Sequence, residues 1–158
     1  MARNERFLVD GMLGKLCRWI RFMGYDTEYA GSEISDSDII RKCLHDKRIL
    51  ITMDIELSTR LQGSVLLRSF NADDQIRTVL SKFPISTESA MTRCPICNGI
   101  LVKKREPANG HIPAGVRSRF HEYMVCSDCG KTYWEGSHFD RIKAKISKLK
   151  GLKDENPT

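Results

Sequence analysis

Apolar residues along the first ninety positions change their spacing again and again. Phe7-Leu8-Val9 is an unbroken apolar triplet closed by Asp10-Gly11, the signature of a short buried strand. Met12, Leu13, Leu16, Trp19, Ile20 and Met23 then recur at three- and four-residue intervals, which predicts a helix ended by Gly24. Lys15, Arg18 and Arg21 fall between them, largely on the opposite face. Asp26 to Ala30 reads as a second strand. A helix opens at Ser35-Asp36-Ser37-Asp38, with either a serine or an acid as its cap, and carries Ile39, Ile40, Cys43 and Leu44. Arg48-Ile49-Leu50-Ile51-Thr52 is the clearest strand, β-branched and closed by Met53-Asp54. A short helical piece from Ile55 to Leu61, a strand at Val65-Leu66-Leu67 and a helix from Ala72 to Phe83, stopped by Pro84, complete the series.

Strand alternating with helix four times predicts an α/β fold, a mainly parallel sheet between helix layers joined by right-handed crossovers. Residues 84–92 read as a connector. A cysteine-bearing module spans about 93–136, and a last helix starts at Ser137, with Ser137 and Asp140 spaced as a capping box. Its apolar stripe is Phe139, Ile142, Ile146 and Leu149. The expected division is therefore 1–86 and 91–150.

Cys94-Pro95-Ile96-Cys97 and Cys126-Ser127-Asp128-Cys129 are two C-x-x-C pairs. Four thiolates at this spacing complete a tetrahedral structural zinc shell and leave no open position for chemistry. The 28 residues between the pairs, 98–125, exceed the usual gap, so the ribbon must carry a loop. Pro107 to Gly115 supplies turn residues for it. His111 and His121 lie in the gap but are not needed as ligands. Cys17 and Cys43 stand alone in helical segments as small core residues.

The chain has 158 residues, 41% hydrophobic and 29% charged, as in a globular protein. No apolar run is long enough to span a bilayer, and the N-terminus lacks a signal-peptide pattern. With reduced thiols, this points to a cytoplasmic location. The net charge of +6 is unevenly placed: residues 1–90 hold 13 basic and 13 acidic residues, residues 91–158 hold 13 and 7. A zinc tetrathiolate trims the second half to about +4, still basic. Such a surface suits a polyanion such as nucleic acid, or simply water.

In an open α/β sheet, ligands sit beyond the carboxyl ends of the strands. Asp10 follows the first strand, Asp54 follows the third, and Asp36 opens on the same rim from the second. Each also precedes a helix, where aspartate is a favoured cap. Convergence of all three on one rim favours a site for Mg²⁺ or Mn²⁺, whose hard charge relieves carboxylate repulsion and suits phosphodiester hydrolysis. Asp38 is a spare for Asp36. Asp73 or Asp74 could add a fourth ligand, although Asn71-Ala72-Asp73-Asp74 also reads as helix capping. Lys15 and Arg18 could steady a phosphate, or could be solvated. Arg117 and Arg119 beside Phe120 have the charge and ring of a nucleic-acid contact, or line the wet face of a ribbon strand. His138 could reach a phosphate or close the first turn of the last helix. Tyr133 and Trp134 are expected to pack the ribbon on the α/β domain. No Gly-rich phosphate loop and no nucleophile elbow is present.

Taken together, Phe7 to Leu16, Trp19 to Asp26, Arg48 to Asp54, Arg93-Cys94-Pro95-Ile96-Cys97-Asn98-Gly99 and Tyr133-Trp134-Glu135-Gly136-Ser137-His138 resemble one family. It is the PIN-like RNase family named for the C-terminal domain of the nematode mutator-seven exonuclease. The resemblance covers about residues 6–145. It implies a minimal PIN-like three-layer domain followed by a zinc ribbon and a C-terminal helix. It also implies a metal-dependent ribonuclease, with Asp10, Asp36 and Asp54 matching the family's acids. Met53 departs from the family's usual Thr-Arg-Asp strand end and removes one phosphate contact. The expected activity is RNA hydrolysis with the ribbon holding RNA. The alternatives are a non-catalytic RNA- or ribosome-binding module and a receiver-like phosphoacceptor. The receiver reading fits poorly, because such domains have five strand–helix units and an acid pair after the first strand.

Overall fold

The computed structural model describes residues 5–85, 89–107 and 112–151. Strands β1 (Arg6–Val9), β2 (Asp26–Tyr29), β3 (Ile49–Thr52) and β4 (Val65–Leu66) form one sheet in the order β2-β1-β3-β4. Every adjoining pair is parallel. Helices α1 (Gly14–Phe22), α2 (Asp36–Asp46), α3 (Ile55–Thr59) and α4 (Ala72–Lys82) cover it. Side chains alternate across the sheet: Phe7, Val9 and Ile51 enter a core with α1 and α4, while Leu8 and Leu50 enter one with α2 and α3. All five are fully buried. Central parallel strands with helices on both faces need apolar residues at every position, which explains their unbroken apolar runs.

Elements lie where the periodicity places them, with local refinements. Helix α1 is preceded by a single 3₁₀ turn, Gly11–Leu13, capped by Asp10. Ser35 is the cap of α2; its hydroxyl accepts from the Asp38 amide and donates to the Asp38 carboxylate. Strand β4 ends at Leu66, yet the Leu67 amide still bonds the Thr52 carbonyl at 2.8 Å. Among the described residues no helix is long and apolar enough to cross a membrane.

A second, antiparallel sheet follows, β5 (Leu101–Lys104), β6 (Tyr123–Cys126) and β7 (Thr132–Tyr133), with α5 (Ala114–Arg119) between β5 and β6. Arg117 and Arg119 therefore stand on a short helix rather than on a ribbon strand. Ile112, Tyr123 and Val125 make a small core here, with Phe120 and Trp134 against it. Trp134 thus packs within the module itself. The middle of the expected loop, Asn109-Gly110-His111, and the last residues, 154–158, lie outside the described residues.

Helix α6 (Ser137–Gly151) returns to the first sheet. Its Ile142, Ile146 and Leu149 join the same core as Phe7, Ile20 and Val79. Packing therefore crosses the chain division at 86–91: the last helix follows the cysteine module in sequence but completes the α/β core. Its first helical bond runs from the Asp140 amide to the Gly136 carbonyl, which puts Gly136 in the cap position expected of Ser137.

The two sheets are joined around the Asp26 carboxylate. It accepts from Arg48 at 2.8 Å and from the Asn98 side chain at 2.9 Å, and pairs with Arg6 at 3.3 Å. Arg93 stands 3.9 Å away. Asn98 also uses its Oδ1 to accept the Thr27 amide of edge strand β2 at 2.9 Å. Arg21 lies buried rather than on a solvated face. Its guanidinium donates to the Thr27, Pro95 and Ile96 carbonyls. Three carbonyls converge at this seam, and arginine provides the fixed multi-donor group that serves them together.

Burial works against ionisation of Asp26, but hydrogen bonds from Arg48 and Asn98 and the charges of Arg48 and Arg93 outweigh it, lowering the carboxyl to about 2. A carboxyl held below its unfolded value stabilises the fold fully above about pH 4, and that contribution, about 2 kcal/mol, is lost as pH falls towards 2. Asp26→Asn leaves Arg48, whose side chain is only 4% exposed, with Glu28 at 2.9 Å as its remaining carboxylate. The expected cost is about 2 kcal/mol at pH 7, the contribution of the lost carboxylate. Urea unfolding of both proteins from pH 7 to pH 2 checks this, and the gap between them should narrow only below about pH 4.

Candidate functional site

The two C-x-x-C turns are built alike. Asn98, just after Cys97, has φ +72°, and Gly130, just after Cys129, has φ +74°. The left-handed residue Asn98 folds the chain back so that the Gly99 amide faces Cys97 Sγ at 3.4 Å, and within the second turn the Cys129 amide faces Cys126 Sγ at 3.5 Å. A side chain at Gly99 would put its Cβ 2.6 Å from Cys126 Sγ, so that residue must be glycine for the two turns to face each other.

All four sulfurs lie within 4.8 Å of one another, with Cys97–Cys126 at 3.3 Å and Cys94–Cys129 at 3.8 Å. Sulfurs of a zinc tetrathiolate stand roughly 3.8 Å apart, given Zn–S bonds of about 2.3 Å. The quartet can therefore hold a metal such as zinc. Burial opposes ionisation of Cys126, yet amide hydrogen bonds from Cys129 and Asp128 bring its thiol down to about 7. Burial first, and then the neighbouring thiols, push Cys97 up to about 12. The Cys126 thiolate forms readily while Cys97 resists, so a bound cation is what would let the two ionise together. Tyr133 reaches the quartet as well, with its hydroxyl 3.1 Å from Cys94 Sγ.

At the opposite edge of the α/β sheet, Asp10 and Asp54 end the adjacent strands β1 and β3. The chain leaves β1 towards β2 and leaves β3 towards β4, so the two acids flank the point where strand order reverses. Thr52, fully buried, ties them together. Its hydroxyl donates to Asp10 Oδ2 at 2.8 Å and accepts the Asp54 amide at 2.9 Å. Sequence reading gives Thr52 only as the last residue of a strand. Its available signal was a hydroxyl two residues before a strand-end acid.

Both acids also cap helical turns, as their positions before helices suggest. Asp10 Oδ1 accepts the Gly11 amide at 2.7 Å and Asp54 Oδ1 accepts the Leu57 amide at 2.9 Å. The loop after β2 comes close: a Cβ on Gly11 would sit 2.2 Å from the Gly31 carbonyl oxygen, and the Tyr29 hydroxyl donates to the Gly11 carbonyl. Asp36, the first residue of α2, is exposed.

The carboxylates are not gathered as the thiols are. Among the described residues, ligating side chains meet in a group of three or more only at the cysteines. Asp38 is engaged by Ser35 and by Arg41 at 2.7 Å. Asp73 pairs with Lys145 at 2.8 Å and Asp74 with Arg77 at 2.7 Å, so neither is a free fourth ligand. Met53 is half-buried against the core, its sulfur 3.7 Å from the Gln75 amide. Lys15, Arg18, Arg117, Arg119 and His138 are all exposed. Met12, Ile55 and Phe70 sit exposed on the acidic rim, Phe70 at 86%. The Phe70 loop is held firmly, by Asn71 N–H to Ser69 Oγ at 3.1 Å and Gln75 Nε2 to the Ser69 carbonyl at 2.9 Å.

Residues 5–146 match the sequence model of the family described as the Mut7-C RNAse domain. No curated protein and no solved structure matches the chain. The match spans the parallel sheet, both cysteine pairs and most of α6, and it carries a nuclease-like role with RNA as the family's substrate class. On that span, the chain belongs to the Mut7-C RNAse domain family.

Proposed function

We propose that this protein is a divalent-metal-dependent ribonuclease of minimal PIN-like fold, working in the cytoplasm. Asp10 and Asp54, with Asp36 from the neighbouring loop, would hold Mg²⁺ or Mn²⁺. The observation that carries the reading is the Thr52 hydroxyl, which fixes Asp10 and positions Asp54 at the strand-order reversal. A cap alone needs one carboxylate oxygen and no buried partner from a second strand. Here the Asp10 carboxylate is oriented from both sides, by the Gly11 amide and by Thr52, and each oxygen keeps a lone pair free. A cation bound there would supply the Lewis acid that phosphodiester hydrolysis requires.

The surroundings suit RNA. Exposed Lys15 and Arg18 rise along α1 beside Asp10, and Met12, Ile55 and Phe70 offer apolar faces to bases. The cysteine module, with zinc, would act as the RNA-holding half through Arg117, Arg119 and His138. A second reading, a non-catalytic RNA- or ribosome-binding module, draws on the three carboxylates not meeting in one group.

RNA cleavage with and without Mn²⁺ separates the two. Wild type should cleave only with the ion, and Asp10→Asn and Asp54→Asn should reduce cleavage to background while keeping the caps that asparagine also provides. Thr52→Val should lose about 10–100-fold, as is usual when a group orienting a metal ligand is removed. Equal activity in wild type and Asp10→Asn would remove Asp10 from the site.

A zinc test is independent of cleavage. The purified chain should contain one zinc per molecule, measured by elemental analysis. Cys126→Ser should lose the metal and the order of β5–β7, with the α/β sheet signals in amide-resolved NMR persisting only to a lower melting temperature, because α6 docks less firmly. Stoichiometric zinc in Cys126→Ser would contradict the tetrathiolate.

A further inference from the structure

Between the end of α1, strand β7 and the first turn of α6 lies a cavity of about 400 Å³. That volume is within the usual range of ligand sites. The rings of Phe22, Tyr133, Trp134 and Phe139 line it, and Lys131 and His138 stand among its polar residues. Thr132, also in the lining, has a buried hydroxyl with no hydrogen-bond partner. Buried polar atoms without partners are rare in folded proteins and point to a ligand or water. The helix whose first turn forms one wall, α6, runs for 15 residues, and its N-terminus favours an anion nearby. Aromatic faces, a lysine, a histidine and a helix N-terminus together match a nucleobase with its phosphate.

The position of the cavity links it to the acidic rim. Helix α1 starts at Gly14, one 3₁₀ turn after Asp10, and runs nine residues, roughly 13 Å, to Phe22. Lys15, Arg18 and Phe22 are spaced by three and four residues and share one helix face. Lys15 and Arg18 are exposed, so a cationic track runs from the carboxylates to the aromatic cavity.

We propose that this cavity is a nucleobase subsite for single-stranded RNA. One unstacked base enters it, the backbone follows Lys15 and Arg18, and a phosphodiester a few nucleotides away reaches the acidic rim. The inference rests on the ribonuclease reading for its choice of ligand.

The test uses the full-length zinc-loaded chain carrying Asp10→Asn, to prevent turnover, and a fluorescein-labelled single-stranded 12-nucleotide oligouridylate. Binding is read by anisotropy. Ser137→Phe, which fills the cavity from its wall, and Lys131→Glu, an exposed change, should each weaken binding about tenfold, within the range of one lost base–aromatic stack. Arg18→Glu should weaken it too. Zinc content and melting temperature verify folding, and Lys131→Glu stands if Ser137→Phe does not fold. Affinities of Lys131→Glu and any folded Ser137→Phe within twofold of the parent overturn the subsite, as does a parent that binds no oligouridylate. Mn²⁺-dependent cleavage by wild type is scored separately. Cleavage without an effect of these variants removes the subsite alone. Loss of binding in the variants without any wild-type cleavage keeps the subsite and removes the nuclease.

Discussion

The Asp26 carboxylate is where the chain's two sheets meet. It receives Arg48 from the start of β3, Arg6 from the start of β1 and Asn98 from the first cysteine turn. Each partner comes from a different part of the chain, so one charge fixes the relative placement of three segments. The cost of burying it is met by the number of donors, which leaves the carboxyl lowered to about 2 instead of raised. Asn98 extends the effect. Its left-handed backbone belongs to the cysteine turn, while its side chain fills the hydrogen-bonding edge of β2 at Thr27. An exposed edge strand invites pairing with other chains. Here part of that edge is closed by the cysteine module.

This arrangement assigns opposite tasks to the two edges of the parallel sheet. At the edge where strands begin, Asp26, Arg48 and Arg21 are committed to internal partners. At the edge where strands end, Asp10, Asp36 and Asp54 keep unused lone pairs and face solvent in part. A charged group that is fully paired is structural, and one held in place but not neutralised is available to a ligand. By that criterion Asp73 and Asp74, each with a cationic partner, fall on the structural side although they stand on the same rim.

Legibility in the sequence followed the range of the interactions. The strands, the helices and the cysteine turns depend on neighbours within a few residues, and their spacing alone discloses them. Asp10 and Asp54 were legible because strand-end acids stand out in an α/β pattern. Thr52 was not, since its role depends on β1 lying beside β3, a contact spanning 42 residues. Arg21 looked solvated because its period places it among charged positions of α1, and only the carbonyls of Pro95 and Ile96, more than 70 residues away, bring it inside. The return of α6 was hidden for another reason. Its apolar stripe was plain, but a stripe does not say which surface it covers.

That return also determines how the cysteine module couples to the nuclease-like domain. Ile142, Ile146 and Leu149, which join the α/β core, are each at most 5% exposed. Burying three such side chains contributes roughly 4.5–9 kcal/mol at about 1.5–3 kcal/mol each. A domain of this size has a net stability of about 5–15 kcal/mol. The α/β sheet therefore depends on a helix that the chain reaches only after passing through the cysteine module. The module is an insertion within one folding unit, held at its entry by Asn98 and Arg21 and at its exit by α6. Metal bound at the quartet would shorten the effective loop between α4 and α6, lowering the entropy cost of docking α6. Occupancy of the thiolate site and integrity of the acidic rim are thus linked through packing, without any direct contact between them.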